Sequence, residues 1–182
     1  SEVEKLLKDL KELLEEVKRR AEESHRDLRR LLEEVRKRVE DSNRELEREL
    51  RRAEDLVRRG NKSSDLVEEL RKIIEEMEKK HKDLVDELRE LIKKVIDDHE
   101  KLIRDLERLI RRVEEELERK TRDRKMERVV EEIRREVKKV LEDLRRILKE
   151  SEDAARKVLR DLERLVKHSK DTAREVLKRL KK

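Results

Sequence analysis

Of 182 residues, 59% are Asp, Glu, Lys or Arg and 32% are apolar, and Phe, Tyr, Trp, Pro and Cys are absent. Without cysteine there is neither disulfide nor thiolate chemistry, and without Phe, Tyr or Trp the usual platforms on which nucleic-acid bases stack are missing. The net charge of +5 is what remains of 56 basic and 51 acidic side chains, so interleaved that neither a nucleic-acid face nor a membrane-surface helix is expected.

The first helix is expected over about residues 2–59. Its apolar seam runs Val3, Leu7, Leu10, Leu14, Val17, Ala21, His25, Leu28, Leu32, Val35, Val39, Asn43, Leu46, Leu50, Ala53, Val57, and the mean step is about 3.6 residues, that of a straight α-helix. So sustained a stripe decides for helix against disorder in a chain this charged. From Val57 to Leu66 the phase breaks by about two and a half turns, which would turn a continuing stripe to the opposite face. The gap Arg59-Gly60-Asn61-Lys62-Ser63-Ser64-Asp65 also offers a glycine to end one helix and Ser and Asp to cap the next.

The second helix is expected over about 64–119, with its stripe from Leu66 to Leu117. The same phase break separates Leu117 from Met126, although Lys120-Thr121-Arg122-Asp123-Arg124-Lys125 holds no Gly or Pro and only Thr121 and Asp123 as caps. The third helix then covers about 124–181. Each would be on the order of 85 Å long. Short connections make neighbours antiparallel, so the expected fold is all-α: one domain, 1–182, an antiparallel up-down-up three-helix bundle of long, nearly straight helices.

An 18-residue repeat runs through all three segments. Leu10-Lys11-Glu12-Leu13-Leu14-Glu15-Glu16-Val17 returns as Leu28-Arg29-Arg30-Leu31-Leu32-Glu33-Glu34-Val35, Leu84-Val85-Asp86-Glu87-Leu88 as Leu102-Ile103-Arg104-Asp105-Leu106, and Val140-Leu141-Glu142-Asp143-Leu144 as Val158-Leu159-Arg160-Asp161-Leu162. Eighteen residues are five whole turns, so the stripe does not drift and the helices need not supercoil. Each apolar arc is about 120–140° wide, enough for two neighbours.

Polar residues interrupt these arcs at the same interval: Ser24-His25 and Ser42-Asn43 on the first helix, His81 and His99 on the second, Ser151 and Ser169 on the third. An antiparallel fold with turns near residues 62 and 125 stacks them into two layers. One holds Ser24, His25, His99 and Ser151; the other holds Ser42, Asn43, His81 and Ser169. His81, His99, Ser151 and Ser169 fall near the middle of their arcs and the other four at the edges, with Ala155 and Ala173 beside them leaving room for the rings. A buried imidazole or amide without a partner costs roughly 1–3 kcal/mol, and Ser and Asn can each donate and accept, so a layer can close its own network.

Three roles suit such layers. They can specify helix pairing and register, because a slipped register strands polar groups that a uniform leucine core would tolerate. They can sense pH, since buried neutral histidines resist protonation. They can bind metal, but two imidazoles per layer fall short of the three or four ligands zinc takes. No metal or cofactor is therefore expected. His168 lies outside the apolar arc and reads as a surface residue. Ser and His meet in each layer, but no buried Asp or oxyanion hole accompanies them, and no enzyme is expected.

The Glu/Lys/Arg surface, the Leu/Ile/Val core, the 18-residue repeat and the His/Asn/Ser layers together resemble de novo designed helical bundles built from parametric straight helices with buried hydrogen-bond networks. The resemblance spans the whole chain, and only the second turn, which has no glycine, departs from it. It implies a structural scaffold with no natural activity and no required partner. An alternative is an interaction module that oligomerises or accepts another helix, favoured if Leu6, Leu13, Leu31, Val85, Ile92, Ile96, Leu159 and Leu177 are exposed; another is a bundle destabilised in acid. No nucleic-acid or membrane partner is expected, and with no targeting signal and no apolar run near the roughly 20 residues a bilayer requires, the chain reads as soluble.

Overall fold

A computed structural model describes residues 2–60, 64–120 and 123–182, apart from the side chains of Val3 and Lys120. The Val3 side chain at the head of the seam, Lys62 in the first turn, and Ser63 and Thr121 as caps lie outside the described residues. Three α-helices account for nearly everything else: α1 over Glu2–Arg58, α2 over Ser64–Lys120 and α3 over Arg124–Lys181. These bounds fall within three residues of Val57, Leu66, Leu117 and Met126, which flank the phase breaks in the apolar stripe. Where the stripe changes face, helix ends.

The ends are closed by the expected chemistry. At the C-terminus of α1, Arg59 N–H donates to Asp55 O and Gly60 N–H to Val57 O, both at 3.1 Å. Gly60 has φ 81°, the left-handed conformation that terminates helices and that a Cβ disfavours. At the start of α3 the Asp123 carbonyl accepts from Met126 N–H at 3.1 Å and Glu127 N–H at 3.2 Å, as a residue capping a helix N-terminus does. Asp123 thus holds the N-cap position of α3.

The chain forms two compact units, to each of which all three helices contribute a segment. The first unit is Ser1–Arg29 with Ile92–Ala154, and the second is Arg30–Leu91 with Ala155–Lys182. In the first, Leu14, Ala21, Ile103, Leu106, Ile110, Ile133, Val137, Val140, Leu144 and Ile147 form the buried cluster. Helix α1 runs parallel to α3, since Lys11 meets Glu132 and His25 meets Ser151 at sequence separations of 121 and 126. Helix α2 runs antiparallel to α3: the separation shrinks from 38 at Arg145–Glu107 to 20 and 16 at Arg134–Glu114 and Arg134–Glu118.

In the second unit the cluster is Leu46, Leu50, Ala53, Leu70, Ile74, Ala173, Val176 and Leu180. Asn43–Leu165 and Arg179–Glu54 keep the same α1–α3 offset, 122 and 125. The fold is thus an antiparallel up-down-up three-helix bundle. Burying one such Leu or Ile side chain contributes roughly 1.5–3 kcal/mol, whereas the exposed ion pairs within a helix, such as Arg20–Glu16 at 2.9 Å and Arg38–Glu34 at 3.0 Å, add a few tenths each.

The eight rim positions do not behave alike. Leu6 and Leu13 are 66% and 44% exposed, but Val85 and Ile92 are buried, and Leu31, Ile96, Leu159 and Leu177 are half-buried. Val85 and Ile92 lie only about 40° and 20° from His81 on the α2 wheel, well inside its apolar arc. Two further leucines, Leu91 and Leu109, are each 39% exposed.

Candidate functional site: two buried polar layers

The buried polar side chains of the described residues are Asn43, His81, His99, Ser151 and Ser169, and no carboxylate is among them. All five belong to the two sets that the 18-residue repeat marks out. Ser24, His25 and Ser42 are half-buried at the arc edges. Ala155 and Ala173 are buried beside the layers, and His168 is exposed.

In the first unit, His25 Nδ1 and Ser151 Oγ share a hydrogen bond of 2.7 Å. The ring's other nitrogen, Nε2, lies 3.9 Å from Glu150 Oε2. His99 is 7% exposed, and its Nε2 is buried with no hydrogen-bond partner. Burial pushes both imidazoles below the ordinary value of 6.5. For His25, Glu150 opposes that shift and Arg29 adds to it. For His99, the second largest cause is His25 itself, with Asp98 opposing. The two rings therefore resist being charged together.

In the second unit, His81 Nε2 and Ser42 Oγ share a hydrogen bond of 2.8 Å. Asn43 Nδ2 donates to the backbone carbonyl of Leu165 at 3.1 Å, and its Oδ1 is buried without a partner. Burial again holds the His81 imidazole below 6.5, with Lys80 adding to the shift. Beside His81 an open groove of about 730 Å³ runs between α2 and α3, lined by Val85, Val166 and several Lys and Glu side chains. It is open to water, and no carboxylate is buried among its lining residues.

The structure brings together His25 with Ser151 and Ser42 with His81. Asn43, expected level with His81, bonds instead to α3. The Leu165 carbonyl could not be read from sequence, because every helical residue has one and only packing selects which is reached. Glu150 had a readable signal: it precedes Ser151 by about 100° of helix, at the arc edge facing α1. Among the described residues no group of three or more His, Cys, Asp or Glu is placed to hold a metal ion, and no helix is long and apolar enough to cross a membrane.

No family model and no curated protein matches the chain. Among solved structures it is similar to a computationally designed three-helix bundle, with a TM-score of 0.55 at 14% sequence identity, covering 98% of this chain and 86% of that one. At that identity the likeness is one of fold: the chain is an antiparallel three-helix bundle, similar to one made by computational design.

Proposed function

We propose that the chain is a designed structural scaffold without natural biochemical activity, in which the two polar layers specify how the helices pair and in which register. The observation that carries this reading is the placement of the buried polar side chains. His81 and His99, and Ser151 and Ser169, stand 18 residues apart, Asn43 stands 18 residues after the half-buried His25, and among the described residues no other polar side chain is buried. A one-turn slip of α2 would move His81 away from Ser42 and leave the hydroxyl and the imidazole without each other, at roughly 1–3 kcal/mol for each group left desolvated and unpaired. A core of Leu, Ile and Val alone carries no such penalty, and loosely specified cores populate several packings.

The test is a layer-free variant: His25, Asn43, His81 and His99 to Leu, with Ser151 and Ser169 to Ala. Its circular dichroism is expected to stay helical, while its amide NMR spectrum broadens or doubles and its mass in solution becomes heterogeneous. One sharp set of resonances from a homogeneous 22.4 kDa species would remove the specificity role.

A second reading is favoured by the histidines. Burial is the largest cause of the lowered pKa at His25, His81 and His99 alike, so the folded state prefers them neutral. Their contribution is complete above the unfolded value of about 6.5. It is lost as pH falls through that value toward each lower native one, because the unfolded chain then binds more protons. The bundle is thereby an acid-responsive element, with Glu150 opposing the response at His25 and Asp98 at His99. Measuring unfolding by denaturant at pH 7.5 and pH 5 on the parent and on His81→Leu/His99→Leu tests it: equal acid sensitivity of the two would sink it.

A further inference from the structure

In the first unit, every ion pair that joins two helices through described residues runs to α3. Lys11 and Lys18 reach from α1 to Glu132 and Asp143 at 2.8 and 3.1 Å. From α2, Glu107 and Glu114 receive Arg145 and Arg134 at 2.7 and 2.9 Å. These long side chains lie over the α1–α3 and α2–α3 seams and cover them with their stems.

The remaining seam, between α1 and α2, is built from other residues. Leu6 and Leu13 each precede Lys11 and Lys18 by five positions, and Leu102 and Leu109 each precede Glu107 and Glu114 by five. Five residues are about 140° of helix, so all four leucines sit on the edge turned away from α3. Leu6 is 66%, Leu13 44% and Leu109 39% exposed, and Leu102 is half-buried. On each helix the pair is seven residues apart, two turns, so the two leucines lie along one line of the helix surface.

The borders of this seam carry an excess of acid. Beyond the leucines of α1 come Asp9, Glu16 and Asp27 against Arg20, and Arg20 is already paired with Glu16 at 2.9 Å. Beyond those of α2 come Asp98, Asp105 and Glu116 against Lys94 and Arg112. A second copy docking by the same seam would set these acidic borders against each other. A helix with basic flanks would neutralise them, as α3 does at the other edge of α2, where Arg134 and Arg145 meet Glu114 and Glu107.

We infer that the α1–α2 seam of the first unit is a docking groove for a separate amphipathic helix, one with a Leu/Ile stripe and Lys or Arg on both flanks. Its apolar stripe covers Leu6, Leu13 and Leu109, and its flanking cations lie along Asp9, Asp27, Asp98 and Asp105. The inference is independent of the role given to the polar layers.

The probe is a fluorescent peptide of about three heptads, Leu and Ile at the core positions and Lys at the flanking ones, with a twin carrying Glu in place of Lys. Titrating each with the intact protein, the basic peptide is expected to saturate, at least tenfold tighter than its acidic twin. Leu6→Glu/Leu13→Glu is expected to weaken it at least tenfold with the melting curve of the protein unchanged, since both side chains are already exposed. Absence of saturation, equal binding of the twins, or binding indifferent to Leu6→Glu/Leu13→Glu would overturn the proposal. So would a dimer in solution that the same double substitution dissolves, which would give the groove to a second copy.

Discussion

The two polar layers occupy equivalent positions of one sequence repeat, yet they are wired differently. In the first unit the α1 residue at the arc edge is His25, whose ring spans to Ser151, and His99 on α2 is left with an orphaned Nε2. In the second unit the equivalent α1 residue is Asn43. Its shorter amide takes the Leu165 carbonyl, and the α2 imidazole, His81, is satisfied by Ser42. One change of residue type, His to Asn, accompanies a change of partner for the whole layer. A repeat fixes where polar groups stand, while side-chain length fixes whom they reach.

The largest effects should come from the apolar contacts beside the layers, and they measure whether the units are equally well packed. Leu14 in the first and Leu162 in the second are 1% and 0% exposed. Leu14→Ala and Leu162→Ala are each expected to cost about 2–5 kcal/mol in denaturant unfolding. A difference of more than about 2 kcal/mol between them would show that one unit collapses around the cavity better than the other.

The next contrast lies between equivalent serines. Ser151→Ala removes the partner of His25 Nδ1 and should cost about 1–3 kcal/mol. At Ser169, the same position one repeat later, the bonds of the layer run through Ser42 and through Leu165 instead. Ser169→Ala should therefore change stability by no more than about 0.5 kcal/mol. Equal losses at the two serines would mean that the layers are wired alike after all.

His99→Leu should stabilise the chain at neutral pH, by up to about 1 kcal/mol, because it removes a desolvated nitrogen that has no partner. His81→Leu should gain less, since it strands the Ser42 hydroxyl. Between pH 7.5 and 5, His99→Leu should abolish more of the acid loss than His25→Leu. Protonated His25 finds Glu150 at 3.9 Å, while His99 faces the charge of His25. An acid loss that His25→Leu removes more fully than His99→Leu would reverse that ranking.

The two turns give the smallest contrast. Gly60→Ala meets no atom within 4 Å of the added Cβ, so its expected cost of about 1 kcal/mol comes from φ alone. The second turn needs no glycine, and Asp123→Ala, whose backbone carbonyl makes the described cap bonds, should cost less. A neutral Gly60→Ala would show that the first turn can relax out of the left-handed conformation.

Most of the fold was legible in the chain. The phase breaks between Val57 and Leu66 and between Leu117 and Met126, with the turn residues in them, put the expected ends at 59 and 119, each one residue from where α1 and α2 stop. The positions that the 18-residue interval marks include all five buried polar side chains of the described residues. Both are local properties, because backbone hydrogen bonding and the 3.6-residue period fix which way each side chain points from its own helix. Less legible was the exposure of individual rim leucines. Leu6 and Val85 were treated alike, yet one is open to water and the other buried. The two were told apart by their angle to the arc centre and by which seam lysine and arginine stems cover.

The sequence alone therefore determined the elements, their phase and the positions of the polar groups along each helix, because each follows from periodicity within one helix. Only the tertiary structure decided that His25 takes Ser151, that Asn43 takes a backbone carbonyl, and that His99 Nε2 is buried without a partner. Those outcomes depend on the reach of side chains from one helix to atoms of another, and no periodicity within a single helix encodes that distance.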